Sequence, residues 1–284
     1  MHRISVRQWR APEEFRAHVD PHLRRFEAAN NLMLGLLPGV SRENHPLLVA
    51  VDAEDSTPRL AGLQTAGHFN LILSFSDDVD AARLLADTLW NRSVQLPGVL
   101  GPVLLAKAFA EQWSRLSGRQ AILSVEERVY ELRRILPGLH AAGQYRWASM
   151  EDASWLIPWV ERFVLEAMPE AAVHDAEAMV WRHLTTGYPV GAYLVMEHDG
   201  HPVSLAGFGQ PTGTGVRVGP VYTPPELREL GYASGVVREL TQRLLDAGYR
   251  SVFLFADNAN PTSNSIYQKI GYRPVVDVNQ YQFP

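Results

Sequence analysis

Two short segments in the last quarter of the chain combine residue types that can bind an anion and donate a proton. In the first, Arg228-Glu229-Leu230-Gly231-Tyr232-Ala233, a basic residue precedes a glycine and a small residue at the start of a helical pattern. The N-terminus of a helix has unpaired N–H groups, and an arginine adds a forked positive charge, so this segment can bind an anion. In the second, Tyr267 follows Asn260 by seven residues and precedes Gly271-Tyr272. Its hydroxyl is a candidate proton donor.

The surrounding sequence predicts the elements that position these residues. Val216 to Tyr222 has the composition of a strand, and a helical pattern runs from about Ala233 to Ala247 and stops at Gly248. Ser251 to Ala256 is a continuous apolar run, which is typical of a strand buried on both faces. A further helix is predicted from Ser263 to Ile270, and a last strand from Val275 to Phe283.

In this order, the segments resemble the core of the GNAT superfamily of acyl-CoA-dependent N-acyltransferases. The family's loop pattern, Arg or Gln, two residues, Gly, one residue, Gly or Ala, matches Arg228 to Ala233. The resemblance implies that Tyr267 is the general acid that protonates the departing thiolate. It further implies that acetyl-CoA or another acyl-CoA is held by Val221, Tyr222, Thr223, Arg228, Leu230, Gly231, Tyr232, Ala233, Ser234, Asn260 and Ser263.

Within this set, the resemblance gives different roles to different residues. The loop amides would bind the diphosphate, a backbone N–H among Val221 to Thr223 would polarise the thioester carbonyl, and Asn260 would lie beside the pantetheine arm. Two departures are notable: Glu229 stands where many members have glycine, and the strand Val216 to Tyr222 has no acidic residue. The general base therefore stays open between Glu166, Asp257, a water chain and no base at all.

The first half of the chain shows a comparable order of elements. A helical pattern covers Pro12 to Leu37, strand-like runs cover Leu47 to Val51 and Arg59 to Ser74, and further patterns predict helices at about Val79 to Leu89 and Val103 to Leu116 and a strand at Ala121 to Val125. Leu96 to Pro102 lies where a coenzyme loop would lie, but it lacks the basic-glycine pattern. The arrangement resembles two-domain acyltransferases akin to glycine N-acyltransferases, and it implies an α/β fold with two GNAT-like domains. Each would be a mixed, mostly antiparallel sheet flanked by helices.

The two domains are expected at residues 1–140, a degenerate GNAT-like domain, and residues 143–284, the catalytic GNAT domain. The stretch Leu132 to Gly143, rich in Pro, Gly and small residues, is the best candidate for a linker. A faint internal echo, Leu60-Ala61-Gly62 against Leu205-Ala206-Gly207 at a spacing of 145 residues, also suggests related domains.

Each candidate residue also has a simpler interpretation. Arg228 to Ala233 could be an ordinary turn, Tyr267 a packed aromatic residue and Asn260 a turn or capping residue. His18 and His22 have the spacing of a metal pair, but no third ligand is obvious, so we expect no metal site.

Composition limits the classes of function. Of 284 residues, 26 are basic and 31 acidic, giving a net charge of −5, and there is no cysteine. We therefore expect no nucleic-acid partner, no thiol chemistry and no disulfide. Without a signal-like or membrane-spanning stretch, we expect a cytoplasmic protein with no membrane partner, monomeric or homodimeric, that acylates a small-molecule amine. A non-catalytic acyl-CoA-binding regulatory module is the alternative.

Overall fold

The same order of strands and helices occurs twice along the chain. A computed structural model describes residues 4–138, 143–167 and 175–284. The first set of elements is β1 (Ser5–Trp9), α1 (Pro12–Arg25), α2 (Asn31–Leu36), β2 (Leu47–Asp52), β3 (Pro58–Gln64), β4 (Leu71–Leu73), α3 (Val79–Asn91), β5 (Gly98–Pro102), α4 (Val103–Ser117) and β6 (Ile122–Leu132). The second is β7 (Gln144–Trp147), α5 (Ala153–Ala167), α6 (Asp175–Thr186), β8 (Ala192–His198), β9 (His201–Gly209), β10 (Gly215–Tyr222), α7 (Tyr232–Asp246), β11 (Ser251–Asp257), α8 (Pro261–Ile270) and β12 (Arg273–Gln282).

The chain divides into two units whose boundaries differ from the expected ones. The first unit is Met1–Val129 together with Val275–Pro284, and the second is Tyr130–Pro274. The last ten residues thus pack in the first unit, because β12 pairs with β5 from Val278↔Pro102 to Gln282↔Gly98. The predicted linker begins with the last residue of β6, and its residues 139–142 lie outside the described part of the chain.

In the first unit, strands β1 to β5 lie side by side in sequence order, and β12 follows β5. The pairs are antiparallel except β4 with β5, which is parallel. Apolar side chains of α1 and α2 cover one face of this sheet, and those of α3 and α4 cover the other. The first unit is therefore a mixed sheet between two helical layers.

In the second unit, the sheet order is β7, β8, β9, β10, β11 and the end of β6. Here too the pairs from β7 to β10 are antiparallel, whereas β10 and β11 are parallel. Residues of α5 and α6 pack on one face, and those of α7 and α8 pack on the other. The predicted fold class, α/β with mostly antiparallel sheets flanked by helices, is confirmed.

Several predicted elements of the first half have different limits in the structure. The helical pattern Pro12 to Leu37 is interrupted between Arg25 and Asn31, and the run Arg59 to Ser74 forms two strands, β3 and β4. The predicted short strand Ala121 to Val125 lies within the longer β6.

The segment Leu96 to Pro102, predicted to lie where a coenzyme loop would be, contains the strand β5 instead. Its glycines allow close packing rather than anion binding. A Cβ on Gly98 would lie 2.2 Å from the Tyr281 carbonyl oxygen of β12, and one on Gly101 would lie 2.9 Å from Leu73 Cβ.

Candidate active site

The parallel strands β10 and β11 of the second unit pair over only part of their length. Ladder pairs join Gly215, Val216 and Arg217 to Ser251, Val252 and Phe253. Beyond Arg217, none of the described residues of β10 pairs with β11. On its other edge, β10 stays paired with β9, but the register shifts between Val218 and Val221, where Gly219 has a φ of 151°. This bulge marks the point at which the edge of β10 facing β11 becomes free.

Backbone alternation then decides which amide faces the open side of β10. The Tyr222 carbonyl accepts a hydrogen bond from Ser204 Oγ of β9 at 3.2 Å, so the Tyr222 backbone faces β9. Neighbouring residues of a strand direct their N–H and C=O groups to opposite edges. The N–H of Val221 therefore points toward the β11 side. Of the three residues predicted to contain a carbonyl-polarising amide, Val221 to Thr223, the geometry favours Val221.

The loop after β10 ends in a helix N-terminus that no side chain caps. A 3-10 turn at Pro225–Leu227 leads to Arg228, and Gly231, the residue before α7, has a φ of 84°. This left-handed conformation suits glycine, and no atom lies within 4 Å of the position that a Cβ would occupy. The first turn of α7 contains no acidic residue. The backbone N–H groups of Tyr232, Ala233 and Ser234, at the start of α7, thus have the arrangement that binds anions.

Glu229 and Leu230 complete the loop. Glu229 also has a left-handed backbone, with a φ of 65°, which is unfavourable for a residue with a Cβ. A glycine at this position would adopt the same conformation without that cost. Leu230 is 60% exposed and packs in no core cluster.

Arg228, expected to neutralise a diphosphate, is held by two groups of the protein itself. Its Nη2 donates to both carboxylate oxygens of Glu166, at 3.0 and 2.7 Å, and its Nε donates to the Thr223 carbonyl at 3.0 Å. The guanidinium also lies 5.8 Å from the centre of the Tyr222 ring. Glu166, one of the candidates for the general base, therefore has an ion-pair partner in this structure.

Tyr267 projects from α8 into a group of tyrosines. Its ring centre is 6.3 Å from that of Tyr130 and 6.0 Å from that of Tyr272. The hydroxyls of those two neighbours are bound, Tyr130 to Asn264 and Tyr272 to Thr241, each at 2.7 Å. No described residue makes a hydrogen bond to the Tyr267 hydroxyl. Burial raises the pKa of Tyr267 to about 12, so at neutral pH it is a phenol with a proton to donate.

Asn260 caps α8, as its simpler interpretation proposed. Its Oδ1 accepts the N–H of Ser263 at 3.0 Å, which leaves its side-chain NH₂ without a partner among the described residues. Both residues lie at the first turn of the helix that carries Tyr267. Asp257, another candidate base, is exposed at the end of β11, and its Oδ1 accepts the N–H of Ala259 at 2.7 Å.

Asn264, which was not among the predicted site residues, connects three parts of this region. Its Nδ2 donates to the carbonyls of Asp257, at 2.8 Å, and Asn260, at 2.7 Å, and its Oδ1 accepts from Tyr130. The end of β11, the start of α8 and β6 are joined in this way. The spacing of two asparagines by one helical turn, Asn260 and Asn264, is the signal that could have indicated this role.

In the first unit, the corresponding strand, loop and helix are β4, residues 74–78 and α3. Here the helix N-terminus is capped, because Asp78 Oδ1 accepts the N–H of Ala81 at 3.0 Å. Asp77 and Asp80 place two further carboxyl groups within a few residues of that cap. Carboxylates thus take the place where an anionic ligand would bind.

Two further tests concern metals and membranes. In residues 4–138, 143–167 and 175–284, no group of three or more His, Asp or Glu side chains is placed to hold a metal ion. His18 instead bonds to Asp52 at 2.9 Å, and His22 to Ser74 at 3.3 Å. In the same residues, every helix is too short or too polar to cross a membrane.

Comparison with known proteins identifies the second unit. Residues 155–272 match the sequence profile of the acetyltransferase (GNAT) family. This region is a GNAT domain. Its limits enclose both predicted segments, and the resemblance to the GNAT superfamily is confirmed. No curated protein matches the chain significantly in sequence.

Solved structures extend the likeness to the full chain. A Drosophila protein is 13% identical over 98% of both chains, with a TM-score of 0.65. A GNAT acetyltransferase from Colwellia psychrerythraea is 10% identical over 99% of this chain and 100% of that one, with a TM-score of 0.60. A tandem GNAT protein from the clavulanic acid biosynthesis pathway is 14% identical over 99% and 98%, with a TM-score of 0.60. At these identities, the likeness concerns the fold.

Proposed function

We propose that the protein is an N-acyltransferase that moves an acetyl or other short acyl group from coenzyme A to an amine. The observation that carries this proposal is the uncapped N-terminus of α7 at the end of the loop that follows the part of β10 not paired with β11. A diphosphate suits the first feature and an extended amide-containing chain suits the second. The residues present therefore fit acyl-CoA as the second substrate.

The loop and the start of α7 would hold the diphosphate. Gly231 allows close approach because nothing crowds it, and the amides of Tyr232, Ala233 and Ser234 supply donors. Arg228 supplies a counter-charge after it exchanges its partner. Asn260, with its free NH₂, and Ser263 would lie along the remainder of the coenzyme, as the family resemblance implies.

Bound acyl-CoA supplies an activated acyl group, which the acceptor nitrogen takes as a new C–N bond while the C–S bond breaks. The N–H of Val221 donates to the carbonyl oxygen as negative charge develops there. Tyr267 donates to the sulfur. Its pKa of about 12 exceeds that of an ordinary thiol, about 8.5, so the phenol first stabilises the thiolate by a hydrogen bond. The proton that leaves the acceptor nitrogen balances the proton that the thiol gains.

A non-catalytic acyl-CoA-binding module is the second candidate. Two features favour it: Glu229 is an acidic residue within the anion-binding loop, and the strand β10 has no acidic side chain. This alternative predicts coenzyme binding without turnover. The cytoplasmic location, the monomeric or homodimeric state and the small-molecule acceptor stay predictions under either function.

The proposal is tested by stabilisation with CoA thioesters, followed by mass spectrometry of an amine library for acylated products. Tyr267→Phe keeps the ring and removes only the hydroxyl, so we expect thiol release to fall at least about tenfold while coenzyme affinity stays within about twofold. Tyr249→Phe, which removes a phenol at the other end of α7, is the matched control. Unchanged turnover of Tyr267→Phe would remove Tyr267 as the acid, and binding without any acylation would favour the module.

A further inference from the structure

Tyr130 is a buried side chain that the proposed reaction does not use directly. It lies near the end of β6 with no exposed surface, and α8 binds its hydroxyl from two sides. The hydroxyl donates to Asn264 Oδ1 at 2.7 Å and accepts from Gln268 Nε2 at 3.2 Å. Residues four apart lie on the same face of a helix in successive turns. One side chain of β6 therefore holds two turns of α8.

The face of α8 that Tyr130 binds lies next to Tyr267. Tyr267 follows Asn264 by three residues and directly precedes Gln268, and residues three apart are also neighbours on a helix surface. The ring centres of Tyr130 and Tyr267 are 6.3 Å apart, with the ring planes tilted by 53°. A movement of this face relative to β6 therefore moves the Tyr267 hydroxyl as well.

Packing alone holds α8 weakly. The helix has ten residues, of which Ile270 is buried and Ile266 and Tyr267 are partly buried. Helices shorter than about 12 to 15 residues are marginal in water, so tertiary contacts must fix their position. The last turn is held by the Leu136 N–H, which donates to the Ile270 carbonyl at 2.8 Å. The middle of the helix, where Tyr267 lies, is held by the Tyr130 hydroxyl.

Tyr272 provides a comparison within the same group of rings. Its ring centre is 6.0 Å from that of Tyr267, and its hydroxyl is bound to that of Thr241 at 2.7 Å. Thr241, however, belongs to α7. Tyr130 and Tyr272 thus flank the same ring and each has a bound hydroxyl, but only the hydroxyl of Tyr130 connects to the helix that carries Tyr267.

We propose that Tyr130 is a positioning residue, which anchors α8 so that Tyr267 stays where it donates its proton. A displacement of about 1 Å at a reacting group can cost about 100-fold in rate, so this anchor acts on kcat more than on coenzyme binding. Tyr130 is the first residue of the second unit, but it lies outside both the expected catalytic domain, residues 143–284, and the matched family region, residues 155–272. This inference rests on the proposed function.

The anchor itself is tested by amide hydrogen exchange, which requires no turnover. Tyr130→Phe keeps the ring and removes only the hydroxyl, so we expect the amides of α8 to exchange at least about threefold faster than in the natural protein. Tyr272→Phe is the matched control, because it removes a bound hydroxyl on the other side of Tyr267, and it should change these rates by less than about 1.5-fold. Unchanged exchange in Tyr130→Phe, or equal acceleration in both variants, would overturn the anchor.

The effect on Tyr267 is tested by initial rates with acyl-CoA and an amine that the natural protein acylates. We expect Tyr130→Phe to lower kcat at least about fivefold and to leave the KM for acyl-CoA within about twofold. Tyr272→Phe should keep kcat within about twofold of the natural value. An equal loss of kcat in both variants, or no loss in Tyr130→Phe, would overturn the inference.

A double variant separates positioning of Tyr267 from a general structural role. In a protein that already carries Tyr267→Phe, the change Tyr130→Phe should lower kcat no further, because the group that it positions has lost its proton. A general disturbance of the fold would lower the rate in either background, and a further loss of that kind would overturn the inference. A natural protein that acylates no amine would instead contradict the proposed function, and hydrogen exchange would still decide whether Tyr130 anchors α8.

Discussion

For Tyr267 the surroundings of the hydroxyl, and for Glu229 the conformation of the backbone, bear on whether the residue is functional or structural. Tyr267 sits among tyrosines whose hydroxyls are bound, yet its own hydroxyl has no partner in the described structure. Its ring is partly buried and packs against the core of the second unit. The general-acid role of Tyr267 therefore stays a prediction, whereas for Asn260 the capping role is observed.

Glu229 combines an unfavourable backbone with an unfavourable charge for anion binding. Its φ of 65° costs a residue with a Cβ about 1 kcal/mol, and it adds a negative charge to the loop of the proposed diphosphate site. We expect Glu229→Gly to raise the free energy of unfolding by up to about 1 kcal/mol and to tighten CoA binding two- to fivefold, or about 0.4 to 1 kcal/mol. Thermal unfolding and calorimetry measure the two effects.

Glu229→Gln separates those causes, because it removes the charge and keeps the backbone conformation. It should tighten CoA binding to a similar degree without a gain in stability. Weaker binding in both variants would mean that the carboxylate assists the coenzyme, and would contradict the placement of the diphosphate next to residue 229.

Among the elements, those with a strong local pattern were predictable and those defined by pairing were not. The helix α7 begins at Tyr232, one residue before the prediction, because Gly231 ends the loop. The bulge of β10 and the loss of pairing with β11 depend on contacts between distant segments, which a local pattern does not contain. The same reason applies to Gly98, whose role depends on Tyr281 of β12, 183 residues later.

The roles of the loop amides and of Tyr267 were predicted from the resemblance to the GNAT superfamily, but their partners in the structure were not. The contact of Arg228 with Glu166 joins residues 62 positions apart, and that of Tyr130 with Asn264 joins residues 134 apart. Nothing in the chain near Arg228 indicates that a carboxylate from α5 reaches it. Candidate site residues can thus be read from a sequence, whereas their charge state and competitors require the fold.

An ion-pair cluster fixes the start of α5 against two strands of the second unit. Asp152 accepts from Arg146 of β7 at 2.7 and 2.8 Å and from the Trp155 Nε1 of α5 at 3.0 Å, and Arg146 also donates to Glu197 of β8 at 2.7 Å. The Arg146 hydrogen bonds hold the pKa of Asp152 at about 2, well below its usual range. Trp155 is thereby positioned next to Trp159.

The lowered pKa gives the cluster a pH dependence of known sign. Ionised Asp152 stabilises the fold fully above the pKa of an unfolded aspartate, about 3.9, and the stabilisation is lost as pH falls through about 2. We expect Asp152→Asn to lower the unfolding temperature at pH 7 by about 4 to 8 °C, equivalent to about 2 kcal/mol, and the difference from the natural protein to narrow below pH 3. Glu151→Gln, at the exposed neighbour, should change little. A difference that is constant from pH 7 to pH 2 would contradict this role of the charge.

At the scale of the whole molecule, the repeated element order supports two related units, but the sequence echo does not. Gly62 lies on the face of β3 that meets α3, next to Leu85, whereas Gly207 lies beneath Tyr193, on the face of β9 that meets α5 and α6. These two glycines, equivalent in the sequence echo, therefore lie on opposite faces of their sheets, as happens when a strand register differs by one residue. The expectation of two domains gains its support from topology and from the tandem GNAT neighbour.

The sequence also could not predict which of the two units contains the C-terminal residues. Phe283 stacks on Trp113 at 5.4 Å and on Phe109 at 6.3 Å, both in α4 of the first unit. An apolar strand can pair with any exposed sheet edge in a suitable register. Its sequence pattern therefore does not predict which edge it joins. In the structure, Val278 to Gln282 pair with β5 of the first unit.

The electrostatic difference between the two units predicts how many coenzymes the chain binds. The start of α7 is uncapped and follows Arg228, whereas the start of α3 is capped by Asp78 and flanked by Asp77 and Asp80. Because a diphosphate is repelled by these carboxylates, we expect a calorimetric stoichiometry of one CoA per chain. Loss of a charge-assisted bond is worth about 1.5 kcal/mol, so Arg228→Gln should weaken this site about tenfold, while Arg83→Gln on α3 should leave it unchanged. A stoichiometry near two, or a single site that is sensitive to Arg83→Gln and insensitive to Arg228→Gln, would place coenzyme binding in the first unit and contradict the assignment.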